Sequence, residues 1–125
     1  MATKKQIETF LSSGVEEIII EKELKKKLLS GKTLRVKHGV DPTSKDLHLG
    51  HAVVYWKLKE AQDMGHQIVF LIGGFTARFG DPTDKGETRQ MRTKADVEKE
   101  AESYINQVGK ILDLKKTEIR YNSEW

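Results

Sequence analysis

The chain of 125 residues contains no cysteine and only two prolines. Without cysteine it can hold neither a disulfide framework, nor a zinc ribbon, nor a cysteine nucleophile. No apolar run reaches the roughly 18–20 residues that a membrane helix needs. The first ten residues, MATKKQIETF, also lack the apolar stretch of a secretory signal. We therefore expect a soluble, cytoplasmic protein with no membrane segment.

Charges of the two signs are nearly balanced, with 22 Lys and Arg against 19 Asp and Glu and a net charge of +3. Charged residues make up 33% and hydrophobic residues 37%, which is typical of a folded domain and too apolar for full disorder. The length fits one modest domain. The small positive charge is compatible with phosphate-bearing partners but does not by itself indicate one.

Hydrophobic periodicity divides the chain into helices and strands. The predicted elements are helices at residues 3–12 and 15–29, a strand at 33–38, a helix from about 50 to 64, a strand at 67–72, a helix that begins at Thr93 and a strand at 117–121. Strand, helix, strand, helix, strand is the order of a right-handed parallel βαβαβ unit. We therefore predict an α/β, Rossmann-like parallel sheet at residues 31–125, preceded by an N-terminal helical segment at residues 1–30.

Burial can be predicted for three of these elements. The helix at 50–64 has apolar residues on more than one stripe, so we expect it to be heavily buried, with Tyr55 and Trp56 in the core. The run QIVFLI at 67–72 indicates a strand covered on both faces. The strand at 117–121 is expected to leave an open edge and an uncovered apolar face.

Two long loops, at residues 39–49 and 73–92, follow the first and second strands. Ligands of parallel sheets bind beyond the carboxyl ends of the strands, so both loops are expected to line one crevice. The second loop is rich in glycine and in basic residues, which would allow it to close over a phosphate. A solvated loop is the alternative. The lysines of residues 22–27 predict a solvated helix face, with RNA contact as the weaker option.

The first loop carries the clearest chemical pattern, a helix start with glycines and two histidines. Its candidate ligand-binding residues are Gly39, Asp41, Thr43, His48, Gly50 and His51. A helix start offers unpaired N–H groups and a positive dipole, which favour a phosphate. Gly50 would let a nucleotide approach the backbone closely. His48 and His51, three residues apart, can both donate hydrogen bonds to phosphate oxygens.

Metal binding is an alternative for these histidines, since the possible ligands are His38, His48, His51 and His66. Asp41 is the only carboxylate suitably placed beside them, and phosphate binding explains the glycines better. A single histidine near a helix start is most often a surface or capping residue. Two of them around a glycine, at the carboxyl end of a strand, favour a functional role. We therefore predict a phosphate site and no bound metal.

A family resemblance appears in these residues. It rests on Asp41-Pro42-Thr43 followed by Leu47-His48-Leu49-Gly50-His51, on the Gly39 before them, and on the later Gly80-Asp81-Pro82. The first part resembles the HIGH signature of class I aminoacyl-tRNA synthetases, and the combination is similar to bacterial tyrosyl-tRNA synthetases in particular. The resemblance covers roughly residues 30–125. The pattern HxGH alone is less specific, because nucleotidyltransferases of the same superfamily also carry it.

The resemblance implies a two-step reaction. Tyrosine and ATP, with Mg²⁺, would form tyrosyl-adenylate, and the tyrosyl group would then move to tRNA(Tyr). By family position, Thr43 and His48 would contact the γ-phosphate and the leaving pyrophosphate. His51 would lie by the ribose, and the backbone of Asp41 by the α-phosphate. The enzyme would act by aligning reactants and stabilising charge, with no general base.

The resemblance also implies roles for the second loop. Asp81 would hold the ammonium group of tyrosine, and Lys85 and Arg89 would belong to a segment that closes over pyrophosphate. The candidate catalytic residues are therefore Thr43, His48, His51, Lys85 and Arg89, the ATP-binding residues are Gly39, Asp41, His48, Gly50 and His51, and the amino-acid-binding residues are Lys37 and Asp81.

The sequence departs from the family pattern in two ways. Lys37 stands where the family commonly has a tyrosine that reaches the phenolic hydroxyl of the substrate. The KMSKS loop, the dimer-forming region and the anticodon-binding domain of full synthetases are not found in these residues. We therefore expect an N-terminal part of a catalytic domain whose full-length form is a homodimer. The alternatives are a tryptophanyl relative, an HxGH nucleotidyltransferase, or a non-catalytic nucleotide- or RNA-binding module.

Overall fold

The computed structural model describes residues 2–42, 46–74 and 93–124. Their order is helix, helix, strand, helix, strand, helix, strand. The elements are α1 (Lys4–Ser12), α2 (Glu21–Leu29), β1 (Arg35–Val40), α3 (Leu49–Asp63), β2 (Gln67–Ile72), α4 (Lys94–Val108) and β3 (Thr117–Tyr121), with 3₁₀ turns at Leu114–Lys116 and Asn122–Glu124. None of the helices in the described ranges combines the length and the apolar character that crossing a membrane requires.

The three strands form one parallel sheet in the order β1-β2-β3. α3 connects β1 to β2 and α4 connects β2 to β3, and both pack on one face of the sheet through the cluster that contains Ile68, Phe70 and Ile72. This arrangement confirms the predicted parallel βαβαβ unit. Two crossovers of the same hand that step in the same direction across the sheet place both helices on one face. Right-handed crossovers are the usual case in parallel sheets.

The first strand is displaced from its predicted position. It covers Arg35–Val40 rather than residues 33–38, because Gly39 and Val40 continue the parallel register opposite Leu71 and Ile72. A glycine in the sequence suggested a loop, but the neighbouring strand supplies the pairing that keeps it extended. β2 and β3 coincide with their predicted ranges.

The second helix is shorter than predicted. α2 begins at Glu21, whereas the pattern predicted a helix over residues 15–29. Ile20, which precedes it, has φ 59° and ψ 52°, a left-handed conformation that ends any helix entering from residue 19. Three consecutive isoleucines also weaken helix formation here, since β-branched side chains lose rotamer freedom in a helix.

α3 is much less buried than predicted. Its buried residues are Tyr55, Leu58, Ala61 and Gln62. Trp56 is 59% exposed, so its predicted place in the core is wrong, whereas Tyr55 is 2% exposed and confirms the prediction. The helix contacts the sheet along one stripe only, and within the described ranges nothing covers the apolar residues outside that stripe.

The face of the sheet away from α3 and α4 is charged. Arg35 reaches across β2 to Glu118 on β3, with 2.8 Å between Nη2 and Oε2, and Arg120 lies 3.1 Å from the same carboxylate. Both arginines lower the pKa of Glu118, chiefly through their hydrogen bonds. The expected uncovered apolar face is therefore wrong for the described strands. Long charged side chains lie on the same face as Val69, the buried residue of β2 on this side.

The two N-terminal helices form a second, smaller cluster. Ile7, Leu11 and Leu28 are buried together, separately from the cluster between the sheet, α3 and α4. Lys57 of α3 joins the two parts, since its Nζ donates to the carbonyl of Ser13 at 2.8 Å. The division into residues 1–30 and 31–125 stays a prediction.

Candidate active site

The carboxyl ends of the strands meet at one edge of the sheet, where Val40, Ile72 and Tyr121 stand in register. The pairing continues one residue further, because the N–H of Gly73 donates to the carbonyl of Val40 at 2.9 Å. A Cβ atom at Gly74 would lie 3.3 Å from Oγ of Ser123, which follows β3. The chain segments leaving β2 and β3 are therefore closely apposed at this edge.

The start of α3 is organised by two histidines. His48 is the N-cap, with φ −119° and ψ 175°, and its Nδ1 accepts a hydrogen bond from the N–H of Gly50 at 3.1 Å. In return, the N–H of His48 donates to Nδ1 of His51 at 3.2 Å. The two rings lie 3.9 Å apart between centroids, inclined by 37°. The pair forms a capping box in which imidazoles replace the usual hydroxyl and carboxyl groups.

This geometry fixes which ring nitrogens can bind a ligand. Both Nδ1 atoms accept backbone hydrogen bonds, so each neutral ring carries its proton on Nε2 and can donate it outward. Burial, and then the neighbouring His48, lower the pKa of His51, which keeps that ring neutral at pH 7. Two Nε2–H donors at the positive end of a 15-residue helix form an environment suited to phosphate oxygens.

The lack of a side chain at Gly50 has a local structural reason, in addition to the predicted close approach of a nucleotide. A Cβ atom at this position would lie 2.9 Å from Cε1 and 3.0 Å from Nδ1 of His48. Any side chain would therefore displace the imidazole that caps the helix. Close approach of a nucleotide to Gly50 stays a prediction.

Lys37 and Gly39 lie on the charged face of the sheet, two residues apart on β1. A Cβ atom on Gly39 would be 3.2 Å from Nζ of Lys37, so the ammonium group lies directly over the glycine. Lys37 is exposed, and Asp41 follows the end of the strand and is also exposed. A ligand at the carboxyl edge that extends onto this face would meet a positive charge.

For His38 the sequence suggests only a possible role as a metal ligand. It points to the opposite side of β1 from Lys37, with its ring 5.7 Å from that of Tyr55 and 5.8 Å from that of Phe70. Burial, then the charges of Lys37 and His51, lower its pKa. The alternation Val36, His38, Val40 could have placed it on the helix-covered side.

The absence of a bound metal at the histidines stays a prediction. The described residues contain no group of three or more potential ligands placed to hold a metal ion. His66 lies at the amino end of β2, where its Nδ1 accepts a hydrogen bond from the N–H of Leu34 at 3.3 Å. It is therefore at the opposite end of the sheet from His48 and His51.

The predicted site residues divide into two groups. Those that the structure describes lie at the end of β1 or at the start of α3: Lys37, Gly39, Asp41, His48, Gly50 and His51. Thr43, Asp81, Lys85 and Arg89 lie outside the described residues.

Comparison with known proteins supplies the family. Residues 29–125 match the family described as tRNA synthetases class I (W and Y). The chain belongs to this family. Its relatives include the tyrosine–tRNA ligase of Oleidesulfovibrio alaskensis, 53% identical over 125 residues, and that of Idiomarina loihiensis, 56% identical over 115 residues. These alignments cover 100% and 92% of the class I synthetase chain but only 31% and 29% of the relatives, so the chain spans about a third of their length.

Solved structures agree on the fold of this synthetase chain. Tyrosyl-tRNA synthetase from Archaeoglobus fulgidus, complexed with L-tyrosine, matches all of the chain with a TM-score of 0.79 and 23% identity, over 36% of its own length. A C-terminally truncated mitochondrial tyrosyl-tRNA synthetase from Coccidioides posadasii matches 98% of the chain with a TM-score of 0.66 and 26% identity, again over 36% of its length. The predicted class I synthetase fold is confirmed.

Proposed function

We propose that this chain forms the ATP- and tyrosine-binding part of a tyrosine–tRNA ligase, which makes tyrosyl-adenylate and transfers tyrosine to tRNA(Tyr). The observation that carries the proposal is the reciprocal pairing of His48 and His51 at the start of α3, with both Nδ1 atoms occupied. The family and the tyrosine–tRNA ligases among its relatives support the substrate assignment.

In the first step a carboxylate oxygen of tyrosine attacks the α-phosphorus of ATP. A phosphorus–oxygen bond forms, the bond to the bridging oxygen breaks, and pyrophosphate leaves with the bonding electrons. Negative charge grows on the leaving group, and donors already in place stabilise it without reorganisation. The Nε2–H of His48 is proposed to face the pyrophosphate and that of His51 the ribose. Mg²⁺ enters with ATP as part of the substrate.

The amino-acid part of the site is proposed on the charged face of the sheet. Lys37 holds its ammonium group over Gly39 at the end of β1, close to where the carboxyl edge opens. We propose that Lys37 contacts the tyrosine substrate and that Asp81 binds its ammonium group. Gly39 and the backbone of Asp41 would border the α-phosphate.

The remaining roles are proposed from family position. Thr43 would contact the γ-phosphate, and Lys85 and Arg89 would close over pyrophosphate. We also propose that the full-length ligase is a cytoplasmic homodimer and that residues 1–30 form a helical segment before the nucleotide-binding domain.

A thermal shift of the chain with a non-hydrolysable tyrosyl-adenylate analogue tests the proposal. A ligand at one hundred times its dissociation constant adds about 2.7 kcal/mol to the free energy of unfolding. The expected result is a shift with the tyrosyl analogue, a smaller one with a tryptophanyl analogue, and none in His51→Ala. An equal shift in His51→Ala would contradict the proposed site. A shift with ATP but with neither adenylate analogue would favour a non-catalytic nucleotide-binding module.

A further inference from the structure

Gln107 links α4 to the turn that precedes α3. Its side-chain Oε1 accepts a hydrogen bond from the N–H of Leu47 at 2.9 Å, across 60 residues of sequence. Leu47 directly precedes His48, the N-cap of α3. One side chain of a distant helix therefore fixes the backbone immediately before the histidine pair.

The anchor on α4 is well fixed. Gln107 is half-buried, and its Nε2 donates to the hydroxyl of Ser103 one turn earlier at 3.0 Å, which selects the orientation of the amide. The same helix buries Ala101, Tyr104 and Val108 in the core. Because the helix is held by the core, its glutamine can impose a position on a turn that has no secondary structure of its own.

The turn depends on this contact for a specific reason. Leu47 lies outside α3, which begins at Leu49, so the helix supplies no acceptor for its N–H. A half-buried N–H without a partner is costly. If this N–H turned towards solvent to form a hydrogen bond with water, the peptide before His48 would rotate. That rotation would disturb the hydrogen bond from the N–H of His48 to Nδ1 of His51, which is 3.2 Å long.

We propose that Gln107 is a positioning residue for the phosphate site: through Leu47 it sets the orientation of His48 and His51. The effect of Gln107 on the orientation of the histidines requires no ligand. Its effect on ATP binding rests on the proposed function. A displacement of about 1 Å in such a site is enough to reduce a rate by about a hundredfold.

Three variants separate positioning from general stability. Gln107→Met keeps the length of the side chain but removes the acceptor, whereas Gln107→Glu keeps an acceptor for the N–H of Leu47. The matched control is Gln67→Met, which removes a glutamine contact to the carbonyl of Lys116 at 3.0 Å. Gln67 is also half-buried but lies at the amino end of β2, at the other end of the sheet.

The test measures the 125-residue chain in two ways. Hydrogen exchange and NMR report the Leu47 amide and the imidazole resonances of the two histidines, and calorimetry reports the dissociation constant for ATP with Mg²⁺. In Gln107→Met we expect at least tenfold faster exchange at Leu47, shifted imidazole resonances and about tenfold weaker ATP binding. Gln107→Glu should restore all three, and Gln67→Met should leave them unchanged.

Unchanged exchange and imidazole resonances in Gln107→Met would overturn the proposal. So would ATP binding weakened equally in Gln67→Met, or no recovery in Gln107→Glu. If Gln107→Met does not fold, Ser103→Ala removes the hydroxyl that anchors the amide and should change the same resonances in the same direction. If the unaltered chain binds no ATP, the proposed function fails, and the exchange and imidazole data alone decide whether Gln107 positions the histidines.

Discussion

Replacing Gly50 with alanine should separate the geometry of the site from the stability of the fold. The new Cβ atom would lie 2.9 Å from Cε1 and 3.0 Å from Nδ1 of His48, which is too close for the ring to stay in place. The ring must rotate away, and its hydrogen bond from the backbone N–H of residue 50, now 3.1 Å, is lost.

The two energetic consequences for the helix nearly cancel. Loss of an N-cap hydrogen bond costs about 1 kcal/mol, while alanine gains about 0.5–1 kcal/mol over glycine within a helix. The free energy of unfolding in urea should therefore change by less than about 0.5 kcal/mol. Ligand binding has no such compensation. Loss of one correctly placed imidazole donor should weaken ATP binding about tenfold, the equivalent of 1.4 kcal/mol.

Gly109→Ala is the steric control. Its Cβ atom would lie 2.8 Å from Cδ1 of Leu114, the end of a flexible side chain, and its three nearest atoms belong to Leu114 and Asn106. Calorimetry with ATP and NMR of the imidazole rings compare the two variants. If Gly50→Ala binds ATP as tightly as the unaltered chain, with unchanged His48 resonances, the reasoning about the histidine pair is refuted.

Two further predictions concern the scaffold. Gln62→Met should lower the free energy of unfolding in urea by about 2–3 kcal/mol. The buried amide of Gln62 accepts from the N–H of Asp113 at 2.9 Å and donates to the carbonyl of Asp113 at 3.1 Å, and both hydrogen bonds would be lost. A loss of stability no larger than in Gln67→Met would contradict this prediction. Arg35 and Arg120 lower the pKa of Glu118. The charged carboxylate therefore stabilises the fold fully at pH values above the usual pKa of glutamate, and this contribution is lost as the pH falls through the lowered pKa. Urea midpoints between pH 6 and pH 3 should fall less steeply in Glu118→Gln, and parallel curves would contradict the assignment.

Strands β2 and β3 and one helix cap were predictable because their signals are local. Residues 68–72 are apolar throughout, which is typical of a strand covered on both faces. Thr93 and Asp96 form the predicted capping pair, in which the N–H of Asp96 donates to Oγ1 of Thr93 at 3.2 Å and the N–H of Thr93 donates to the carboxylate at 3.1 Å. Such contacts span three residues, so the sequence contains all of their components.

The mistakes arise where the partner is distant. Trp56 is apolar and in a helix, but whether it is buried depends on which stripe of α3 meets the sheet. His38 lies on the helix-covered side of the sheet because β1 turns it towards Tyr55. Gln107 has no pattern in the sequence, since its contact with Leu47 lies 60 residues away.

The sequence by itself determined the order of strands and helices and the two histidines around a glycine, and it predicted the edge of the sheet at which ligands would bind. These follow from periodicity and spacing, which act over a few residues. The tertiary structure decided what those histidines can do. Their Nδ1 atoms accept backbone hydrogen bonds, so that Nε2 is left as the donor, and a glutamine from α4 fixes the turn before them. Packing alone brings such groups together, because each hydrogen bond needs its donor and acceptor within about 3 Å.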